Sequence, residues 1–327
     1  MRDLGMGEGR FLSYAAGLAS ALGHRDRVGP FRAYCAGLLG TEGRKSVEPL
    51  AAATAPSRVS GQHQSLLHFV GQSEWSDAVV LAGVRAYVLP AMERRGPIEA
   101  WIVDDTSFPK KGRHSVGVAW QYCGQLGKPA NCQAAVTLSL ANHQASLPIG
   151  YRLYLPQEWA EDAPRRRQAG IPDAIAFETK PALALGLIEQ ALSQGVPRGF
   201  VLADAGYGCD TAFREAVTGL DLLYAMGVRP DTGVWPPGVR PLAQVKPWSG
   251  RGQRPLLRPP IRPQRHVPNS IATLCRQLAV AIAQKLPRPL EIGESVAPPC
   301  FVGNRVLGDR PYSFLTAFAA SSQYERA

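Results

Sequence analysis

A chain of 327 residues, 45% hydrophobic and 19% charged, has a globular composition and is not that of a disordered polymer. Its formal charge of +10 points to a polyanionic partner. No apolar run approaches the roughly 18 residues of a membrane span, and MRDLGMGEGR lacks the apolar core of a signal peptide, so a cytoplasmic protein with no membrane partner is expected.

Residues 1–96 read as a helical domain, for which DNA binding is one role considered. FLSYAAGLASALGH places Phe11, Leu12, Ala15, Leu18 and Leu22 at near-helical spacing, and FRAYCAGLLG ends in Gly40. Ser46 opens a further helix through Ala53, and segments 65–72 and 76–92 supply two more. From residue 97 the period becomes that of strands. IEAWIVD is one strand, ended by Asp104 and Asp105, and HSVGVAWQYCG is a second. NCQAAVTLSL and LPIGYRLYLP flank ANHQAS as a third strand and its partner. PALALGLIEQALSQG is helical and closes at Gly195, RGFVLAD is a short buried strand, Asp210 caps the helix TAFREAVTGL, and DLLYAMGV is the last strand.

Antiparallel strands followed by helix, strand, helix, strand give an α/β (α+β) class. The expected architecture is a ribonuclease H-like mixed sheet with flanking helices, preceded by the helical domain, with its core over 97–230. In that fold the first and fourth strands are neighbours, which would bring Asp105 and Asp204 together. Residues 231–268 hold nine prolines and seven Arg or Lys against one acid, Asp231, and read as a basic Pro-rich arm or linker. Residues 269–327 form a divergent tail. The six cysteines show no C-x-x-C spacing, so buried reduced thiols and no structural zinc are expected.

Asp105 and Asp204, each ending an apolar strand, are the residues suited to hold divalent metal for phosphoryl transfer, because two metals about 4 Å apart can activate the attacking oxygen and stabilise the leaving one. The small residues of LADAGYG would let a substrate backbone approach closely. Read from spacing alone, an Asp at a strand end is also a common turn former. No Walker-type loop implies a nucleotide cofactor.

The blocks VDDTSFPKKGRHSVGVAWQYCGQLGKPANCQ, SLPIGYRLYLPQEWA, IAFETKP and GFVLADAGYG, in that order, resemble the DDE-type transposases of bacterial insertion sequences, in the branch whose catalytic domain opens with DDT-x-FPKKG. The likeness runs from about residue 28 to residue 260. It implies metal-dependent cleavage of a DNA strand by water and transfer of the freed 3′ end into target DNA, with Mg²⁺ as cofactor and Mn²⁺ as its substitute. Transposon ends and target DNA would be the partners, handled by a homodimer. Carried over, Asp105 before Thr106 is the first acid and Asp204 the second, both as catalytic residues and metal ligands. Asp104 would be a neighbour that tunes the site or simply caps the turn, the latter favoured. Lys110, Lys111, Arg113 and Lys128 become DNA contacts.

The resemblance also implies a third acid, a Glu on a long charged helix near the C-terminus. Glu291, Glu294 and Asp309 stand instead in a Pro- and Gly-broken context. A frameshift near residue 261 would account for this, so a truncated and catalytically impaired transposase lacking the usual C-terminal part of its core is expected. The competing readings are a non-catalytic DNA-binding derivative, separable by metal dependence, and a ribonuclease H-like nuclease that only hydrolyses, excluded by any strand-transfer product.

Overall fold

The computed structural model describes residues 2–234 and the strand segments 269–270, 300–306 and 311–317, with side chains from residue 9 to residue 232. Its chain groups into two compact units, residues 1–98 with 139–150 and residues 99–138 with 151–327.

The first unit holds five α-helices, α1 (Arg2–Leu18), α2 (Val28–Gly40), α3 (Val47–Thr54), α4 (Val59–Gly71) and α5 (Asp77–Glu93). The apolar spacing of 11–22 shows as burial of Ala15, Leu18 and Leu22 against Phe31 and Phe69. Trp75 stacks on Phe69 at 5.5 Å between ring centres and donates to the Phe69 carbonyl at 2.9 Å. Ser76 caps α5 by accepting from Val79 N at 3.3 Å. A second cluster, Leu50, Ala51 and Leu66, joins α3 to α4.

The main sheet has eight strands. They are β1 (Ala100–Pro109), β2 (Ala119–Cys123), β3 (Lys128–Asn142), β4 (Ala145–Leu153), β5 (Phe200–Ala203), β6 (Tyr224–Val228), β9 (Cys300–Val306) and β10 (Pro311–Ala317). Their path is β10-β9-β6-β5-β1-β3-β2, with β4 also on β3, while the two-residue strands β7 (Gly233–Val234) and β8 (Asn269–Ser270) pair apart. Helices α6 (Gln157–Ala160), α7 (Ala163–Gln168), α8 (Lys180–Ser193), α9 (Ala205–Gly208) and α10 (Thr211–Gly219) complete the described elements. This is the mixed sheet of a ribonuclease H-like fold, with β1 and β5 side by side and parallel as expected. Trp101, Val103, Val136, Ile188, Val201 and Met226 are buried in the sheet unit. Trp101 is oriented by a 2.8 Å bond from its indole N–H to the Pro197 carbonyl.

Two expectations are corrected. Asp104 and Asp105 do not end β1, which runs on to Pro109, because its neighbour β3 continues alongside and Thr137 Oγ1 donates to the Asp104 carbonyl at 3.0 Å. The second strand begins only at Ala119. Before it Gly117 adopts φ +74°, and a Cβ there would lie 2.7 Å from the Tyr154 carbonyl, so residues 115–118 form a tight turn closed by Val118 N on Ser115 O. The tail supplies strands: β9 pairs antiparallel with β6, and β10 with β9. Most of the Pro-rich arm, 235–268, lies outside the described residues, as do Glu291, Glu294 and Asp309. Cys123 and Cys132 are buried free thiols, whereas Cys35 and Cys209 are only half-buried. Among the described residues no helix is long and apolar enough to cross a membrane.

Candidate active site

The parallel register of β1 and β5 runs from Ala100 opposite Phe200 to Val103 opposite Ala203. One step further along each strand stand Asp104 and Asp204, followed on β1 by Asp105. Side chains alternate along a strand, so Asp105 shares the face of buried Trp101 and Val103, while Asp104 is exposed. Asp104 accepts from the backbone N–H of Asp105 at 2.7 Å, bracing the extended chain rather than capping a turn.

Asp204 is the N-cap of α9, accepting from Gly206 N at 2.9 Å, so the first β5 residue beyond the sheet is fixed by the helix start. The small residues of LADAGYG serve packing here. A Cβ on Gly208 would stand 1.9 Å from the Gly227 carbonyl, so α9 can approach β6 only with glycine at that position. This is the structural use of a smallness that the sequence alone made available for substrate approach.

Both oxygens of Asp105 are engaged. Lys180 Nζ meets Oδ2 at 2.5 Å, with each side chain 29% exposed. The Tyr207 hydroxyl donates to Oδ1. Lys180 also lies over the Tyr154 ring, 5.4 Å from its centre. Burial pushes the Tyr207 hydroxyl far above the ordinary tyrosine value, assisted by its bond to Asp105 and by the negative charges of Asp105, Asp204 and Asp104. The hydroxyl is therefore held as a donor to Asp105.

Neither Lys180 nor Tyr207 was singled out by sequence reasoning, although both lie in the quoted blocks IAFETKP and GFVLADAGYG. One local signal was available. Thr179 caps α8, accepting from Ala182 N at 3.3 Å, so Lys180 occupies the first helical position. A cation there opposes the helix dipole, and its placement calls for a carboxylate partner.

The basic residues divide. Lys110, Lys111 and Arg113 follow β1 in one loop, which Lys110 N ties to Asn131 O at 2.9 Å. Lys128 starts β3 opposite buried Cys123, on the other face of the hairpin from Trp120 and Tyr122. The structure thus groups three of the four and sets Lys128 apart.

The carboxylate oxygens of Asp105 and Asp204 are hard donors, a chemistry suited to Mg²⁺, which takes one or two carboxylates and keeps several waters. The ammonium of Lys180 already sits on Asp105 as a cation would. Among the described residues no three His, Cys, Asp or Glu side chains are grouped closely enough to hold a metal ion together.

Comparison with known proteins adds two findings. The family described as DDE superfamily endonuclease matches residues 17–287 of this chain, past the point at which the sequence resemblance was expected to stop. A probable transposase for insertion sequence element IS701 from Microchaete diplosiphon is 33% identical over 167 residues, which cover 51% of this chain. The match spans 40% of the length of that relative.

Proposed function

Because the chain belongs to the DDE superfamily endonuclease family, we propose that it is an insertion-sequence transposase that cuts DNA strands and transfers the freed 3′ ends, with Asp105 and Asp204 as its first two acids. The parallel pairing of β1 with β5 carries the reading, because it takes two acids far apart in sequence to the same end of adjacent strands. The likeness to a probable transposase supports it. DNA is the proposed partner, consistent with the charge of +10.

Asp105 and Asp204 would hold Mg²⁺, or Mn²⁺ in its place, which when bound supplies charge stabilisation to the attacked phosphate and an activated oxygen nucleophile. Tyr207, donating to Oδ1 of Asp105, keeps that carboxylate in one orientation. Lys180 neutralises Oδ2. Asp204, anchored through Gly206 N, presents its second oxygen from a fixed position.

We also propose that activity is impaired, since the sequence after residue 260 shows no charged helix bearing the third acid that the resemblance implies. The test is a cleavage and strand-transfer assay on supercoiled DNA with Mn²⁺. Metal-dependent nicking lost in Asp105→Asn supports the enzyme. Metal-independent binding with no nicking would favour a non-catalytic derivative, and hydrolysis without any joined product a simple nuclease. Vigorous strand transfer would end the proposal of impairment.

A further inference from the structure

From Thr106 to Gln157 the chain contains no Asp or Glu, yet it includes Lys110, Lys111, Arg113, Lys128 and Arg152. The fold turns part of this stretch into a defined face. β2 ends the sheet path, and its Trp120 and Tyr122 are 76% and 63% exposed. Residues two apart on a strand point the same way, so the two rings stand together while Cys123 turns inward.

Trp120 lies opposite Asn131 in the antiparallel register, and directly opposed residues share a face. The Asn131 side-chain amide donates to the Lys110 carbonyl at 2.8 Å and to the Gly112 carbonyl at 2.9 Å. The basic loop is therefore fastened on the side toward which the rings project. Its far end is held as well, by Arg165 donating to the Arg113 carbonyl at 3.0 Å. Lys111 and Arg113 are exposed, and among the described residues no ion pair engages Lys110, Lys111 or Arg113.

Two solvent-facing rings beside unneutralised cations match the chemistry of a single nucleic-acid strand, whose bases offer π-faces and whose backbone offers phosphates. A duplex presents the phosphates but keeps its base faces inside the stack, so the rings select for unpaired bases. A second copy of this chain is the rival occupant of an edge strand, but it would bring two basic loops together, a like-charge contact that edges use to resist pairing.

We infer that the β2 edge is a binding site for unpaired bases, with Trp120 and Tyr122 as stacking platforms and Lys110, Lys111 and Arg113 taking the adjoining phosphates. Lys110 is five residues beyond Asp105 on the same extended chain, about 17 Å at ~3.3 Å per residue, so one melted strand can reach both places. The inference rests on the transposase reading for its purpose, but the binding itself needs neither metal nor Asp105.

The experiment is fluorescence anisotropy of the full chain in EDTA, with a labelled oligothymidylate and a blunt duplex of equal length. The double variant Trp120→Ala/Tyr122→Ala should lose roughly tenfold or more on the single strand and clearly less on the duplex. Trp120→Phe, which keeps a ring, should retain most of the affinity. Lys111→Gln/Arg113→Gln should weaken both probes and flatten the dependence on salt. Equal single-strand affinity in the double variant and the wild type would overturn the inference, as would equal losses on both probes. A dimer converted to a monomer by the ring substitutions in sedimentation would also overturn it, by assigning the edge to a second copy. Asp105→Asn that binds the oligothymidylate normally while failing to nick DNA supports this site independently of the catalytic reading. Wild-type protein that never nicks but shows the ring-dependent preference would overturn only that reading.

Discussion

Two stretches of the same strand and its extension handle charge in opposite ways. At Asp105 every oxygen has an internal partner: Lys180 on one side, Tyr207 on the other. Five residues later the chain carries Lys110, Lys111 and Arg113, with backbone carbonyls tied down and, among the described residues, no ion pair to any of the three charges. The first arrangement fixes the geometry of a charged group before any ligand arrives. The second fixes a loop's path but leaves its charges to whatever the solvent brings. Preorganised acid beside unsatisfied base is the electrostatic layout expected of a protein that acts on a polyanion.

The sharpest way to break this comparison is Asp105→Asn. Its amide oxygen still accepts from Tyr207, so folding persists, but the carboxylate charge is gone. Metal-dependent nicking should fall on the order of 10³-fold, since metal binding supplies several kcal/mol to such reactions. DNA affinity in EDTA should stay unchanged, as the loop is untouched. Retained nicking would remove Asp105 from the site.

Next in size is Lys180→Met. Removing one partner of a partly buried pair leaves Asp105 without a counter-charge near Asp104 and Asp204, at a cost of roughly 1–3 kcal/mol. Thermal melts in EDTA should show the loss. Mg²⁺ should then raise the melting temperature of the variant more than that of the wild type, because the metal takes over the neutralisation. An identical Mg²⁺ response in both proteins would show that Lys180 does not stand where the metal acts.

The sequence disclosed the pairing of the two strands that carry Asp105 and Asp204, because apolar runs are local patterns and their adjacency follows from element order. It did not disclose where β1 stops. Two adjacent carboxylates look like an end, but the pairing with β3 that carries the strand through them is a long-range contact. It assigned a strand to 114–124 because Val116, Val118 and Trp120 alternate, whereas the positive φ of Gly117 turns the first half into a bend. Lys180 and Tyr207 escaped notice for a related reason. A lone Lys at a helix start and a lone Tyr among glycines acquire meaning only when folding sets both on one carboxylate. The role of Asn131 is likewise invisible in a one-dimensional pattern.

Asn131→Ala tests the other side of the comparison with a smaller effect. It deletes two side-chain hydrogen bonds to loop carbonyls, a loss of about 1–2 kcal/mol, while Lys110 N can still bond the residue 131 carbonyl. The expected result is faster trypsin cleavage after Lys110, Lys111 or Arg113, with weaker DNA binding and little change in the melting temperature of the sheet. Unaltered proteolysis would mean that Arg165 and the backbone alone hold the loop.

An effect of similar size belongs to Tyr207→Phe, and its pH dependence identifies it. The Tyr207 hydroxyl is held protonated by burial and by the acids around it, so its value in the fold lies well above that of the unfolded chain. A group whose folded value is raised contributes stability that is complete below the unfolded value, about 10 for tyrosine, and that is lost as pH rises beyond it, because the unfolded chain then releases a proton that the fold retains. At neutral pH the Phe variant should be destabilised by about 1.5 kcal/mol, the low end for a hydrogen bond to a charged acceptor. Through the alkaline range the gap between wild type and variant should narrow, since only the wild type forfeits the Tyr207 contribution. A gap that widens with alkalinity would mean that the hydroxyl ionises within the fold and that Asp105 is oriented by Lys180 alone.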